Sequence, residues 1–343
     1  MTGEKVGVGI VGFGRMGITH LSILNSHPQV EIVGVVEEAK LLRTFGGSAL
    51  GVRMYESLDA LLDNPELDAV VIATPPKSHD MIVRRCLDAR KNVFCEKPLT
   101  ESGVADAELA QLAYDNGLVN QVGYVYRAVS TIRRAREIVE LGVLGSIYGF
   151  SSTIRASTVR SGQTNESWRS AAGLGGGCLL ELGSHAIDLS VYLFGSGHTL
   201  SDVHGRSVVS GHVDDFVSLR LAYDLGFSGY VTADWMDVSA RKASLSLEVW
   251  GHMGRMIVNP HEMKIFVEKD EGHGFPRGWS SDTVAAHGEP GRFYLRGSEF
   301  TRQLDAFVTA CSGGATCPHA CDFRDAAVTG NVISEARSVL SGH

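Results

Sequence analysis

Lys97, Glu181 and His185 are the residues of this chain whose types and spacing could move a proton. Cys95-Glu96-Lys97-Pro98 closes Asn92–Cys95, a short apolar run that reads as a buried strand. An ammonium just beyond such a strand is suited to polarising a ligand oxygen, and the proline after it restricts Lys97 to extended geometry. Gly175-Gly-Gly-Cys-Leu-Leu-Glu181-Leu-Gly-Ser-His185-Ala-Ile-Asp188 reads as a helix entered through glycines. On a helix, Glu181 and His185 share a face, with Asp188 one turn later. A carboxylate beside an imidazole orients it and raises its basicity, as a general base requires.

These groups need elements to hold them, and the N-terminal stretch shows which. Val6–Val11 is a β-branched apolar run that ends in Gly12-Phe13-Gly14-Arg15-Met16-Gly17, after which a helical pattern continues to His27-Pro28. Gly12 permits the tight strand-to-helix turn, Gly14 lets the backbone approach a pyrophosphate, and Gly17 lets helix and strand pack closely. Phosphates would sit on the N–H groups at the positive end of that helix. A second strand-like run, Val30–Val36, ends in Glu37, 20 residues after Gly17. A carboxylate there accepts from the ribose hydroxyls of a dinucleotide and repels a 2′-phosphate, so the expected cofactor is NAD rather than NADP.

Strand and helix patterns alternate through residue 123. Helical stretches fall after Glu37 (to Phe45, closed by Gly46-Gly47), at Leu58–Leu62, Ser78–Ala89 and Val104–Tyr114. Strand runs fall at Val52–Tyr55, Asp68–Ala73, Asn92–Cys95 and Leu118–Val122. This alternation predicts a parallel, doubly wound sheet whose ligands bind beyond the carboxyl ends of its strands. Those ends carry Gly12–Gly17, Glu37, Thr74-Pro75-Pro76 and Glu96–Pro98. The pattern then changes. After a helix at Ile132–Leu141 and a strand at Ser146–Ile154, runs with partial period-two alternation follow from Val203 to Val267. Consecutive strands with short polar turns predict an open, mainly antiparallel sheet. Val231, Trp235, Leu245, Leu247 and Trp250 are the apolar residues expected to bury against a second copy of the chain. Glu271–Gly297 has no period and reads as a long loop, and helices at Glu299–Ala310 and Arg324–Leu340 close the chain. The expected domains are therefore 1–123, an α/β nucleotide-binding unit, and 124–343, an α+β unit for substrate and self-association. The last helices could pack back on the first unit.

Composition excludes several function classes. A net charge of −8 without a basic stripe argues against nucleic acid, and no apolar stretch approaches the length of a membrane span. The first strand begins within a few residues of Met1, which points to the cytoplasm. Cys86, Cys95 and Cys178 lie in apolar runs and read as small core residues. Cys311, Cys317, His319 and Cys321 match no common zinc spacing, so no metal site is expected.

Taken together, GFGRMG at 12–17, ATPP at 73–76, CEKP at 95–98, Trp168-Arg169 and GGGCLLELGSHAID at 175–188 resemble the Gfo/Idh/MocA oxidoreductases. The resemblance covers nearly the whole chain. It implies an N-terminal Rossmann domain, a C-terminal open sheet that forms dimer or tetramer contacts, and NAD(P)-dependent hydride transfer on sugars or polyols. It makes Lys97 and His185 the catalytic pair, and places Glu181 where the family usually has Asp, one methylene shorter. The expected cofactor contacts are Gly12, Phe13, Gly14, Arg15, Met16, Gly17, Glu37, Thr74, Pro75, His79, Glu96 and Lys97. The expected substrate contacts are Lys97, Arg127, Trp168, Arg169, His185 and Asp188. The reading is a dehydrogenase of a sugar, an inositol or a nucleotide sugar, active as a homodimer or homotetramer. A hydrolase or lyase that retains NAD and oxidises transiently, and a regulator that binds NAD without turnover, are the alternatives.

Overall fold

The computed structural model describes residues 5–159, 176–239, 243–270, 272–284 and 297–341. The chain divides into two compact units, Met1–Val125 with Pro290–Ala327, and Tyr126–Glu289 with Val328–His343.

In the first unit the elements run β1 (Val6–Val11), α1 (Arg15–Asn25), β2 (Val30–Val36), α2 (Lys40–Leu50), β3 (Met54–Tyr55), α3 (Leu58–Leu62), β4 (Ala69–Ile72), α4 (His79–Asp88), β5 (Asn92–Cys95), α5 (Gly103–Asp115) and β6 (Asn120–Val122). All six strands are parallel in the order β3-β2-β1-β4-β5-β6. The strand order reverses beside β1, the place where a doubly wound sheet opens its ligand crevice. β1 and β4 are apolar throughout, and β5 is apolar after Asn92, because helices cover both their faces, the rule for parallel sheets. One covering helix comes from the far end of the chain. Leu304, Phe307 and Val308, on a helix spanning Ser298–Cys311, share a core cluster with Val8, Ile10 and Phe94. His27 Nε2 also reaches Asp305 Oδ1 at 2.9 Å, tying the end of α1 to that helix.

The helix expected to stop at Gly46-Gly47 instead continues to Leu50 and is capped by Gly51 in the left-handed conformation, φ 64°. Packing overrides the glycines' poor propensity. A Cβ on Gly46 would lie 3.0 Å from Phe13 and 3.1 Å from Met54, so the glycine admits close approach. Ser57 caps α3, its hydroxyl accepting from the Ala60 N–H at 3.2 Å.

The second unit contains α6 (Ser130–Glu140), β7 (Ile147–Arg155), α7 (Ser184–Phe194) and seven further strands. These are β8 (His198–Arg206), β9 (Phe216–Tyr223), β10 (Ser228–Asp234), β11 (Ser244–Gly251), β12 (Gly254–Val258), β13 (Glu262–Val267) and β14 (Gly278–Thr283). The sheet order is β14-β13-β12-β11-β7-β10-β9-β8. Every pairing is antiparallel except β10 with β7. With the Ser298–Cys311 helix as α8, the chain ends in α9 (Phe323–Ser341).

Two sequence expectations change here. β14 lies inside the stretch read as loop; Gly-Trp-Ser-Ser-Asp-Thr shows no apolar alternation because it is a half-exposed edge strand paired only with β13. Val231, Trp235, Leu245 and Leu247 are at most 2% exposed and belong to the unit's own core, together with Ile187, Leu189 and Ile132 of α7 and α6. The period-two pattern marked the buried face of β11 but not what covers it, and Trp250, grouped with Leu245 and Leu247, alternates to the other face and is only partly buried. The opposite face displays Tyr148, Tyr230 and Phe266.

Candidate active site

In the first unit, the glycine loop is shaped by collisions that a side chain would cause. Gly12 has φ 98° and its Cβ would press on the Ala73 carbonyl, while a Cβ on Gly17 would collide with the Gly12 carbonyl oxygen. A Cβ on Gly14 would meet nothing within 4 Å, so the backbone there is open to a ligand. Helix α1 starts at Gly14 without a side-chain cap and with no acidic residue in its first turn. Both leave its positive end suited to an anion. The Glu37 carboxylate reaches back to this loop, Oε2 accepting from the Phe13 N–H at 3.1 Å and Oε1 from the Ala39 N–H at 2.9 Å. The nearby Arg43 guanidinium donates to the Glu37 carbonyl at 2.9 Å and the Glu38 carbonyl at 2.6 Å. These residues fit a dinucleotide: an open glycine cradle, an uncapped helix start and a carboxylate at the end of β2.

Beyond β4 and β5 lie Thr74-Pro75 and Glu96-Lys97. His79, expected against the cofactor, is fully buried. Its Nδ1 lies 2.8 Å from the Pro98 carbonyl and its Nε2 2.9 Å from the Thr74 carbonyl. The ring thus ties the Thr74 turn to the segment after Lys97, whose peptide bond to Pro98 is cis. Burial lowers the imidazole's pKa, against the pull of these carbonyls and of Glu96. Glu96 Oε1 is 2.7 Å from His20 Nε2, and the Lys97 N–H donates to Oε2 at 3.4 Å. Burial pushes the Glu96 carboxyl up, but the hydrogen bond and charge of His20, with Lys97, more than reverse it and hold it below its ordinary value. A carboxylate held by His20 therefore stands next to Lys97.

In the second unit, Cys178 leads into a π-helical turn, Leu179–Gly183, which continues as α7. Glu181 lies in this wide turn and His185 in regular helix, so the uniform α-helix expected for the pair begins only at Ser184. Ser184 Oγ donates to the Leu180 carbonyl at 2.7 Å, the kind of back-bond that distorts a helix start. The turn is capped by Asp214, whose Oδ2 accepts from the Leu179 N–H at 2.6 Å. Burial raises the Asp214 pKa to about 6, with the Leu179 bond opposing. A Cβ on Gly177, at φ 122°, would collide with that carboxylate, which accounts for the last glycine of the run.

Helix α7 is held from two sides. Ser152 Oγ of β7 donates to the Ala186 carbonyl at 3.0 Å. On another side, the short 3₁₀ turn Val125–Ala128 supplies Tyr126 and Arg127. The Tyr126 ring meets His185 edge-on, centroids 5.1 Å apart, and Arg127 grips Asp188. Arg127 Nε lies 3.1 and 3.0 Å from the two carboxylate oxygens, and Nη2 lies 2.7 Å from Oδ1. Arg127 is 2% exposed and Asp188 1%, so this pair is an internal strut of the helix. The guanidinium also lies 5.1 Å over the Tyr192 ring. Trp168 and Arg169 lie outside the described residues.

Sequence reasoning passed over His20, Tyr126 and Asp214. His20 carried a signal: Gly17, His20, Leu21 and Leu24 form one buried helical stripe, and a polar residue in such a stripe needs a partner. Among the described residues no group of three His, Cys, Asp or Glu side chains is placed to hold a metal, and no helix is long and apolar enough to cross a membrane.

Comparison with known proteins agrees with this geometry. The model of the oxidoreductase family with an NAD-binding Rossmann fold (GFO_IDH_MocA) matches residues 6–124, and that of the GFO/IDH/MocA C-terminal domain matches 132–257. An uncharacterized oxidoreductase of Schizosaccharomyces pombe is 30% identical over 223 residues, covering 64% of this chain and 59% of that protein. This chain therefore spans less than two thirds of that relative. The dTDP-3,4-didehydro-2,6-dideoxy-alpha-D-glucose 3-reductase of Streptomyces violaceoruber is 30% identical over 253 residues, 70% of this chain and 72% of that protein. The crystal structure of GenD2 from gentamicin A biosynthesis, in complex with NAD, superposes with a TM-score of 0.80 at 26% identity, covering 99% of this chain and 95% of that one. With both halves matched and the glycine loop, Glu37 and the Glu96-Lys97 pair in place, the chain belongs to the Gfo/Idh/MocA family of oxidoreductases with an NAD-binding Rossmann fold.

Proposed function

We propose that this protein is an NAD-dependent dehydrogenase that oxidises a secondary hydroxyl of a cyclic polyhydroxylated substrate, a sugar, an inositol or a nucleotide sugar. The observation that carries the reading is the Glu96 carboxylate, bonded to His20 and set beside Lys97 at the carboxyl end of β5, in the sheet that holds the glycine loop. The reductase of S. violaceoruber, named for a nucleotide sugar, supports the substrate class. Bound NAD supplies the hydride acceptor at nicotinamide C4. The protein's residues supply the rest. Lys97 donates to the reacting oxygen and stabilises the negative charge that develops there. His185 takes the hydroxyl proton, its ring held against Tyr126, and Glu181 acts as its orienting carboxylate. Trp168 and Arg169 are proposed to hold neighbouring hydroxyls, and the Arg127–Asp188 strut fixes the helix that carries the base. The test is NADH formation, followed by its nicotinamide absorbance, over a panel of sugars, inositols and nucleotide sugars. Turnover of at least one cyclic polyol is expected, and the absence of NADH formation with every class would contradict the reading.

NAD should be preferred over NADP, because Glu37 repels a 2′-phosphate and Arg43 is already committed to the Glu37 and Glu38 carbonyls. Glu37→Ser is expected to narrow the ratio of NADP to NAD dissociation constants by about tenfold, the equivalent of one charge-assisted hydrogen bond. Cofactor fluorescence titration reads this directly. A wild-type protein binding NADP more tightly than NAD would overturn it.

Self-association is proposed through the outer sheet face that carries Tyr148, Tyr230 and Phe266, since patches of exposed aromatics mark interfaces. Light scattering at micromolar concentration is expected to return a dimer or tetramer; a species of 36.8 kDa, the mass of one chain, would count against it.

A further inference from the structure

His20 sits where packing alone would favour a leucine. It lies on the buried stripe of α1, is 0% exposed, and stands edge-on to Phe94 with centroids 5.4 Å apart. Its Nδ1 has no hydrogen-bond partner among the described residues. A buried acceptor left unsatisfied opposes folding, so the ring's presence is accounted for by the bond its other nitrogen makes. That bond, Nε2 to Glu96 Oε1, is 2.7 Å long. Glu96 is held below its ordinary pKa and, as an ionised carboxylate, only accepts; the imidazole Nε2–H is therefore the donor. The carboxyl is also boxed by the residue after β6, for a Cβ on Gly123 would come within 3.3 Å of it. Its other oxygen accepts from the Lys97 N–H at 3.4 Å.

We propose that His20 is a positioning residue for Lys97: it fixes the Glu96 carboxylate, and the carboxylate in turn sets the direction and charge of the lysine beside it. The helix whose first turn forms the dinucleotide cradle is thereby tied to the reacting group. The inference rests on the proposed role of Lys97 at the reacting oxygen. A histidine kept only for packing would be replaced by phenylalanine with a pH-independent cost. A histidine kept for its N–H would be replaced best by glutamine, whose Nε2 can reach the same carboxylate.

The test uses the full chain with His20→Phe, His20→Gln, Glu96→Gln, the His20→Phe/Glu96→Gln double variant and Lys97→Ala. In cofactor-free protein, melting temperature is followed across the acid range, from about one unit below to about two above the ordinary glutamate pKa. A carboxyl whose folded pKa is depressed contributes stability above its unfolded value, and that contribution is lost as pH falls through the folded value. Removing the imidazole raises the Glu96 pKa and reverses this. The gap between wild type and His20→Phe is therefore expected to widen as pH rises, and His20→Gln to close most of it. With the panel compound that turns over fastest, His20→Phe is expected to lower kcat about tenfold, the worth of one hydrogen bond to a charged group. The acid limb of its pH profile should move upward, and Kd for NAD should change little. The double variant is expected to be no slower than Glu96→Gln alone, because the two groups act along one path. A His20→Phe protein with wild-type kcat and pH profile, or a melting gap constant with pH, overturns the proposal. If His20→Phe does not fold, a Glu96→Gln protein with wild-type kcat and pH profile overturns it equally. Lys97→Ala separates the two claims: full activity in that variant sinks the functional reading itself, whereas an inactive Lys97→Ala beside an unaffected His20→Phe sinks only this inference.

Discussion

His185→Ala is expected to lower kcat by roughly 10²–10⁴, the usual contribution of a positioned general acid–base group, while NAD still binds. The glycine loop and Glu37 belong to the other unit and are untouched by the change. Lys97→Ala is expected to cost a similar factor. The double variant should lose less than the product of the two if, as proposed, both groups serve one oxygen. Steady-state kcat with a separate fluorescence titration of NAD checks all three. Glu181→Asp, which restores the family's usual residue, is the informative companion. If Glu181 orients His185, shortening it alters kcat modestly and shifts the pH–rate profile. Unchanged turnover in His185→Ala would remove this histidine from the mechanism.

The second large effect is on stability. Asp188→Ala leaves the Arg127 guanidinium buried and without the carboxylate it grips through two nitrogens. Breaking a buried ion pair on one side typically costs about 3–5 kcal/mol, because the surviving charge stays desolvated. The urea midpoint is expected to fall accordingly. Arg127→Met/Asp188→Leu, which removes both charges and fills the space, should recover most of the loss. His185 lies one helical turn before Asp188, so the single variant should also lose kcat beyond what its unfolded fraction explains. An Asp188→Ala protein with the wild-type midpoint would show that the strut carries no weight.

The first unit was legible because each of its signals has a local cause. Strand, glycine turn, helix and terminal carboxylate follow in a fixed order from Val6 to Glu37, and each constrains the backbone within a few residues. What failed there was local propensity against packing: Gly46 and Gly47 read as a stop but sit inside α2, where the absence of a side chain at Gly46 admits Phe13 and Met54. In the second unit the alternation of β9 and β11 marks the buried face clearly, but the pattern is blind to its covering. Helices α6 and α7 are remote in sequence, so Trp235 and Leu247 read as interface residues although they are core. β14 was invisible because an edge strand needs neither apolar alternation nor a partner on both sides.

The site shows the same division. Lys97 and His185 stood out because their residue types are costly where they are and their neighbours are informative. Their supports did not. Asp214 reaches the Leu179 N–H from 35 residues away, and His20 reaches Glu96 from 76. No spacing rule connects such pairs before the fold does. Asp188 and Arg127, read as substrate contacts, are placed as each other's partners, a pairing set by a 3₁₀ turn that carries no pattern of its own.

The most direct test of the central claim is where the hydrogen of the oxidised carbon goes. The panel compound that is turned over is prepared with deuterium on the reacting carbinol carbon, and the nicotinamide product is examined by mass spectrometry. Direct hydride transfer predicts NADH carrying one deuterium at C4, formed in step with the oxidised product. Consumption of the substrate with no net NADH, or NADH free of deuterium, would contradict it.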